Sequence, residues 1–262
     1  MNPFKHALLS GQRLLGTWMM TGSDTVAEAM ATVGFDFLVL DQEHVAVDTL
    51  DAIRIDRAIR SISATTPLYR LAGNDLVLIK RALDGGAMSL MIPFINTVEE
   101  AQQAVTAAFY PPYGKRGFAA MHRASGWGGN AQFVQEARDE LCLILQLETP
   151  EAIANIDAIA RVDGITGFFI GPGDLSSAMG QPGNPSHPEV QRMITHGLDA
   201  CQRLGKPCGI VGGNPDLVNK YQQMGFNFVA LASDMSFMLA RAKEQLAAIR
   251  GENLTVPGGE VY

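Results

Sequence analysis

The chain has 262 residues, a length at which an α/β barrel can form a single domain. Apolar residues make up 47% of the sequence and charged residues 18%, which excludes an intrinsically disordered chain or a fibre. The net charge is −7, and no stripe of Lys and Arg alternates with aromatic residues. We therefore expect a small-molecule ligand and no nucleic acid partner.

The sequence also carries several signals about the compartment. Its three cysteines have no CxxC spacing, which argues against a disulfide framework or a zinc site and favours a reducing cytoplasm. The amino-terminal residues lack the apolar region of a signal peptide, and no apolar run reaches about 18 residues. We expect a cytoplasmic protein with no membrane partner.

Eight short apolar runs rich in Val, Ile, Leu and Phe alternate with amphipathic stretches, as in consecutive βα units. Their near-continuous apolar character is typical of a parallel sheet covered on both faces. Eight such units predict a closed (β/α)8 barrel of the TIM type, one α/β domain over residues 1–262, with an irregular tail at about 252–262. The predicted strands are Leu15–Met20, Phe35–Leu40, Leu68–Ala72, Ser89–Pro93, Cys142–Leu147, Gly167–Ile170, Cys208–Val211 and Phe228–Leu231.

Helices are predicted where apolar residues recur three or four positions apart. They are Thr25–Thr32, Asp48–Ser61, Asp75–Leu83, Val98–Phe109, Glu151–Ile159, Pro188–Leu204, Asp216–Met224 and Ser236–Arg250. Left-handed glycine caps are expected before four of the strands, at Gly34, Gly85, Gly205 and Gly225.

One segment departs from the regular alternation. A Pro/Gly-rich stretch, Tyr110–Asn130, precedes an extra predicted helix, Phe133–Arg138. We call Tyr110–Asn130 the insertion. Loops of this length within a compact domain are usually functional.

In a barrel of this kind the active site lies where the strands end, so polar residues at those positions are candidates for chemistry. Such residues lie at or just after the ends of four of the predicted strands: Asp41, Glu43, His44, Arg70, Gln146, Glu148 and Asp174. Four acids, one guanidinium and one imidazole are therefore expected at the same end of the barrel.

Glu148 and Asp174 follow two consecutive parallel strands, which lie about 4.8 Å apart. Two carboxylates at that distance can hold a divalent cation such as Mg²⁺, Mn²⁺ or Co²⁺ with positions left open for a substrate. Both residues also stand where helices begin, so capping of those helices is an equally weighted alternative.

The other candidates have alternatives of the same kind. The glycine-rich turn before Asp174 could bind an anion at a helix start, or could be an ordinary βα turn. Arg70 could bind an anion or form a structural salt bridge. His44 could act as a base held by a carboxylate, or could be a surface histidine.

Other reaction classes lack support in the sequence. No lysine falls within a predicted strand core, which disfavours an imine-forming aldolase. Neither a dinucleotide-binding GxGxxG after the first strand, nor a P-loop, nor a GxSxG nucleophile motif occurs.

Several segments together resemble the HpcH/HpaI aldolase family, over roughly residues 14 to 235. They are GTW near the start, VLDQEH after strand two, LYR in strand three, IKRALDGGAMSLMIPF, PPYGKRG, LQLET and FFIGPGDLSSAMG. The resemblance implies a metal-dependent aldolase that reversibly cleaves a 4-hydroxy-2-oxo acid, such as a 2-keto-3-deoxy sugar acid or 4-hydroxy-2-oxoheptanedioate. The products would be pyruvate, formed through its enolate, and an aldehyde.

The resemblance also implies roles for individual residues. Glu148 and Asp174 would bind the metal, and Arg70 would bind the keto or enolate oxygen of pyruvate. His44, with Asp41 nearby, would move protons at the aldehyde side. The main-chain amides of Gly173 and Asp174 would bind the substrate carboxylate. Gln146 would line the same pocket, and Trp18 and Val211 would form its apolar wall.

Asp84 stands apart from these residues, because it precedes strand four and so lies at the opposite end of its own barrel. In the family the corresponding aspartate reaches a histidine of a neighbouring subunit. The resemblance therefore implies a homo-oligomer, commonly a hexamer in which paired barrels exchange helices.

This chain departs from the family pattern at two places, with Val45-Ala46 after the histidine and with Gly173 where alanine is usual. The first change bears on the aldehyde pocket. A citramalyl- or malyl-CoA lyase on the same barrel is the alternative function, but it needs a basic surface, and Lys115, Arg116 and Arg123 supply a small one. A non-catalytic module is disfavoured, because every polar strand end is retained.

Overall fold

The computed structural model describes residues 2–252, and the predicted barrel is confirmed. Eight parallel strands pair in chain order, and the last strand closes on the first. The strands are β1 (Leu14–Met19), β2 (Phe37–Asp41), β3 (Thr66–Arg70), β4 (Ser89–Ile92), β5 (Cys142–Leu147), β6 (Gly167–Ile170), β7 (Cys208–Gly212) and β8 (Phe228–Ser233). The predicted tail lies outside the described residues except for Glu252.

The helices form the outer layer of the barrel. They are α1 (Pro3–Leu9), α2 (Asp24–Ala31), α3 (Thr49–Ile62), α4 (Leu76–Asp84), α5 (Val98–Ala108), α6 (Phe133–Glu140), α7 (Pro150–Ala154), α8 (Ile156–Ile159), α9 (Pro172–Ala178), α10 (Pro188–Arg203), α11 (Pro215–Met224) and α12 (Asp234–Arg250). A single 3₁₀ turn, Arg123–Ser125, lies in the insertion. Within residues 2–252 no helix combines the length and apolar character needed to cross a bilayer.

Three helical features differ from the expectations. The predicted helix Glu151–Ile159 is two helices, α7 and α8, which meet at Asn155, and the Asn155 side chain donates to the carbonyl of Asn96. Helix α9 was not among the predicted helices, although Asp174 had been considered as the start of one, and the observed helix begins two residues earlier, at Pro172. Its proline occupies the first helical turn, where the missing N–H costs nothing.

The third difference is α1, a helix that was not predicted and that closes the amino-terminal end of the barrel. Phe4 enters the barrel, with its ring centroid 5.4 Å from that of Phe37 and 5.7 Å from that of Phe228. Asn2 caps the helix and donates to the carbonyl of Met88 at 2.8 Å. One end of the barrel interior is therefore filled by aromatic rings, and the polar strand ends lie at the other.

Three of the four predicted glycine caps are confirmed, at Gly34, Gly205 and Gly225, with φ of 105°, 64° and 109°. The prediction for Gly85 is wrong, because that residue keeps helical backbone with φ −70°. Its neighbour Gly86 adopts the left-handed conformation with φ 104°. Either of two adjacent glycines can adopt the left-handed conformation, and the local sequence does not indicate which one does.

Candidate active site

Arg70 and Asp41 are the last residues of neighbouring strands and lie opposite each other in the sheet register. The Asp41 carboxylate accepts two hydrogen bonds from the guanidinium, from Nε at 2.9 Å and from Nη2 at 2.7 Å. Both side chains are fully buried. This two-point pairing fixes the plane of the guanidinium and satisfies the charge of Asp41.

The third guanidinium nitrogen of Arg70, Nη1, lies 2.9 Å from Oε2 of Glu43. The guanidinium carbon also lies 4.9 Å from the centre of the Trp18 ring, within cation–π distance. Burial raises the pKa of Glu43, and the nearby Arg70 partly opposes that effect. Glu43 stood in the strand-end motif but had received no role, and the structure places it at the centre of the site.

Glu148 directly follows β5, and its side chain is completely buried. Its Oε1 accepts the main-chain N–H of Phe94 at 3.0 Å, and its Oε2 accepts Nε2 of Gln146 at 2.6 Å. Burial raises the pKa of Glu148 to about 8, and the negative charges of Glu43 and Asp174 add to the effect. Among the charged groups that act on this carboxyl group, the carboxylates oppose its ionisation and Arg70 favours it only weakly.

The alternative that Glu148 and Asp174 cap helices does not describe the structure. The N-cap of α7 is Thr149, whose hydroxyl accepts from the N–H of Ala152. The N-cap of α9 is Gly171, and Asp174 makes no capping hydrogen bond there. Neither carboxylate is used for capping, so both are available for a ligand.

His44 lies at the mouth of the site. Its Nε2 is 3.9 Å from Oδ2 of Asp174 and 4.0 Å from Oε2 of Glu43, and about half of its side chain is exposed. The main-chain N–H groups of Glu43 and His44 both point to Oδ1 of Asp41, at 3.0 and 3.4 Å. Asp41 therefore shapes the loop that carries the imidazole, and the carboxylates near the ring are those of Glu43 and Asp174.

A divalent cation fits the chemistry of this donor set. It would supply the positive charge that buried Glu148 lacks, with Asp174 as the second carboxylate. Within residues 2–252 no group of three or more His, Cys, Asp or Glu side chains is arranged to hold a metal. An ion bound by two carboxylates would complete its coordination with water and substrate oxygens.

The apolar residues predicted to line the pocket lie in the barrel interior. Trp18 and Val211 belong to one buried cluster that also contains Phe169, whose ring centroid is 5.5 Å from that of Trp18. Through Trp18, this apolar cluster is in contact with the buried guanidinium of Arg70.

Asp84 ends α4, just before β4, and so lies at the amino-terminal end of the barrel, away from the other site residues. Its Oδ1 accepts from Nη2 of Arg116 at 2.6 Å and lies 3.9 Å from Nε2 of His122. Arg116 and His122 both belong to the insertion and are buried. Within one chain, Asp84 joins the insertion to α4.

Residues 14–240 match the HpcH/HpaI aldolase/citrate lyase family. The chain belongs to the HpcH/HpaI family. This confirms the resemblance that the strand-end motifs had indicated over nearly the same residues.

Two curated relatives and one crystal structure define the similarity of this HpcH/HpaI chain. It is 48% identical over 237 residues to the 2-dehydro-3,6-dideoxy-6-sulfogluconate aldolase of Pseudomonas putida, covering 90% of this chain and 92% of that protein. It is 40% identical over 262 residues to the 4-hydroxy-2-oxo-heptane-1,7-dioate aldolase of Shigella sonnei, covering 100% and 99%. A family protein from Burkholderia cenocepacia J2315 superposes with a TM-score of 0.93 at 32% identity, covering 95% and 100%. The predicted enzyme class, a carbon–carbon lyase, is confirmed.

Two contacts around Glu148 were not predicted from the sequence. Phe94 contributes its main-chain N–H, which no side-chain pattern reveals. Gly171 contributes space beside Glu148, because a Cβ at this position would overlap Oε2 of that side chain. The second role depends on a contact between two strand ends and has no local signature.

Proposed function

We propose that the chain is a divalent-metal-dependent aldolase that reversibly cleaves a 4-hydroxy-2-oxo acid to pyruvate and an aldehyde. The observation that carries the proposal is the placement of two carboxylates that cap no helix, the buried Glu148 and the partly exposed Asp174, at the ends of the neighbouring strands β5 and β6. A buried carboxylate is stable as an ion when it is paired or coordinates a metal, and this is the role that the proposal gives to Glu148.

In this proposal Glu148 and Asp174 hold the ion. When bound, Mg²⁺, Mn²⁺ or Co²⁺ would act as a Lewis acid toward the 2-oxo group and carboxylate of the substrate. The buried position of Glu148 keeps bulk water from competing for its charge. The partly exposed Asp174 carboxylate faces the mouth, from which a substrate would enter.

Arg70 is the proposed partner of the substrate's 2-oxo oxygen. Asp41 holds two of its nitrogens, and Nη1 contacts Glu43, a carboxylate that an incoming oxygen anion would replace. A guanidinium already fixed in place stabilises developing enolate charge without reorganising. Trp18 beneath it would face the apolar edge of pyruvate.

The remaining pyruvate-side residues complete the proposed pocket. The main-chain amides of Gly173 and Asp174, in the first turn of α9, would bind the substrate carboxylate. Gln146 would line the same pocket through its amide oxygen, which is buried and has no hydrogen-bond partner in the structure. Val211 would extend the apolar wall.

His44 is the proposed acid–base residue. Its imidazole lies at the open side, between the Glu43 and Asp174 carboxylates, where the 4-hydroxyl group of a substrate would point. It would accept the proton of that hydroxyl during cleavage and return it during addition. Asp41 would support it by holding the loop.

The aldehyde is proposed to come from a sugar-acid or dicarboxylic substrate. The named relatives act on a sulfogluconate derivative and on a heptanedioate, which supports this range. The coenzyme A thioester alternative is less favoured. Two of the three cations it would use are already paired, Arg116 with Asp84 and Arg123 with Asp56.

We also propose that the protein is a cytoplasmic homo-oligomer, most simply a hexamer. Helix α12 supports this, because only Asp234 and Ala247 of its seventeen residues are buried. Met238, Leu239 and Leu246 are about half exposed, and Ile249 is 84% exposed. An apolar helix face left open by its own barrel suits exchange with a second copy, and Asp84 would then approach a neighbouring site.

A pyruvate-formation assay tests the proposed reaction. The enzyme would be stripped with chelator, assayed, and reassayed after addition of Mg²⁺, Mn²⁺ or Co²⁺. We expect turnover to disappear and return. Full activity in chelator would overturn the metal-dependent mechanism.

The substrate range is tested in the direction of aldol addition, in which pyruvate and an aldehyde are joined. Pyruvate and Mn²⁺ would be incubated with succinic semialdehyde, tartronic semialdehyde, lactaldehyde, glyceraldehyde or a sulfonated lactaldehyde, with malyl-CoA cleavage assayed in parallel. We expect adducts with at least one free aldehyde. Turnover of malyl-CoA alone would favour the thioester lyase instead.

A further inference from the structure

Both oxygens of the Glu148 carboxylate are held by donors from different parts of the chain. Oε1 accepts the main-chain N–H of Phe94 at 3.0 Å, and Oε2 accepts Nε2 of Gln146 at 2.6 Å. The first donor follows β4, and the second lies on β5, which Glu148 directly follows. Because each oxygen has its own donor, these two hydrogen bonds fix the orientation of the Glu148 carboxylate.

The backbone of Phe94 is strained in a way that serves this contact. Its φ is 51°, in the left-handed region that non-glycine residues rarely occupy. Burial of the ring does not offset the strain, because Phe94 remains 45% exposed. The next residue, Ile95, donates to the carbonyl of Gln146 at 3.2 Å, so the segment is fixed against β5. Strain of this kind typically marks a functional requirement.

Gly171 lies on the other side of the same carboxylate. Its φ is −87°, a conformation open to any residue, so its backbone does not require glycine. A Cβ built there would overlap Oε2 of Glu148 and approach Nε2 of Gln146 to 3.1 Å. The space left by the missing side chain is occupied by the carboxylate.

We infer that Phe94 and Gly171 are positioning residues that hold the Glu148 carboxylate in the orientation needed to bind a divalent cation together with Asp174. The inference rests on the proposed metal dependence. The N–H of Phe94 binds Oε1 of Glu148, and the missing side chain of Gly171 leaves room for Oε2. Neither touches the reacting atoms. Contacts of this kind to a metal ligand typically change metal affinity 10- to 100-fold.

Gly171→Ala tests the space requirement, with Gly73→Ala as the matched control. A Cβ at Gly73 meets nothing within 4 Å, and its φ lies outside the left-handed region. Mn²⁺ would be titrated calorimetrically into chelator-stripped protein without substrate. We expect 10- to 100-fold weaker binding for Gly171→Ala and wild-type binding for Gly73→Ala.

The possible results separate the two proposals. If the wild type binds no Mn²⁺, both the proposed metal dependence and this inference fail. If the wild type binds and Gly171→Ala binds equally well, only the positioning of Glu148 is overturned. Thermal unfolding of each variant would be measured alongside.

A shortened carboxylate distinguishes positioning from a general structural effect. In a Glu148→Asp background the carboxylate is withdrawn from the space beside Gly171. We therefore expect Gly171→Ala to weaken Mn²⁺ binding little further there, although Glu148→Asp alone is weaker than the wild type. An equal additional loss in both backgrounds would overturn the role of Gly171.

The role of Phe94 is tested with substitutions that differ in how readily they adopt a positive φ. This test also remains available if the Gly171→Ala variant does not fold. Phe94→Gly keeps the N–H and favours φ near 51°, whereas Phe94→Val disfavours that conformation. We expect Phe94→Gly to bind Mn²⁺ as the wild type does and Phe94→Val to bind at least 10-fold more weakly. Equal affinities would remove Phe94 from the inference.

Discussion

The two ends of the barrel bury opposite kinds of side chain. At the amino-terminal end, Phe4 packs against Phe37 and Phe228. At the carboxyl-terminal end, Arg70 is buried with its carboxylate partners above Trp18. The first arrangement stabilises the fold because apolar surface is removed from water. The second costs desolvation free energy, because charged groups are buried in fixed positions. In the proposed mechanism, stability and chemistry are thus separated along the barrel axis, as is typical of this architecture.

The separation predicts a large stability effect at the aromatic end. Phe4→Ala removes a buried ring and leaves a cavity, so we expect the free energy of unfolding to fall by about 3 to 5 kcal/mol. Aldolase kcat, measured well below the lowered Tm, should stay near that of the wild type. Phe4→Leu, which keeps most of the volume, should lose much less stability. Normal stability with lost activity would contradict the division of roles.

At the charged end the effect should fall mainly on catalysis. We expect Arg70→Lys to lower kcat/KM by about 10²-fold, because a preorganised fork is replaced by a point charge. Arg70→Ala should lose more and also unfold at lower temperature, since Asp41 and Glu43 are left buried without a cation. Wild-type kcat/KM for Arg70→Lys would remove Arg70 from the proposed mechanism.

High pH should weaken the aromatic end selectively. Cys142 begins β5 within the barrel interior, and burial raises the pKa of its thiol to about 12. Because the folded-state pKa lies above the ordinary value of 9.0, the thiol's contribution is complete below pH 9 and is lost as the pH rises toward 12. We expect Cys142→Ala to reduce the alkaline slope of unfolding free energy by about 1.4 kcal/mol per pH unit. An unchanged slope in urea titrations between pH 9 and 11 would contradict this.

The smallest predicted effect concerns Gly173, where the sequence departs from the family pattern. A Cβ there meets nothing within 4 Å, and the residue lies in the first turn of α9. Gly173→Ala should therefore raise the free energy of unfolding by about 0.4 to 1 kcal/mol by restricting the unfolded chain. A lowered Tm would show that the turn needs glycine.

The sequence predicted the barrel and most strand-end residues for the same reason. Strands and helices differ in the spacing of apolar residues over a few positions, and the places where apolar runs turn polar are equally local. Predicted and observed boundaries agree to within two residues for every strand. The missed helices α1 and α9 both begin with proline in short segments, where periodicity has little room to show.

The sequence by itself determined that this protein is a parallel barrel with acids, an arginine and a histidine at one end. Only the tertiary structure decided which of these groups contact one another. It paired Arg70 with Glu43 as well as Asp41, and it joined Phe94 to Glu148 across 54 residues of chain. The physical reason is that these contacts join different strands and loops, through a main-chain N–H or the space beside a glycine. Such features leave no mark on the periodicity of either segment.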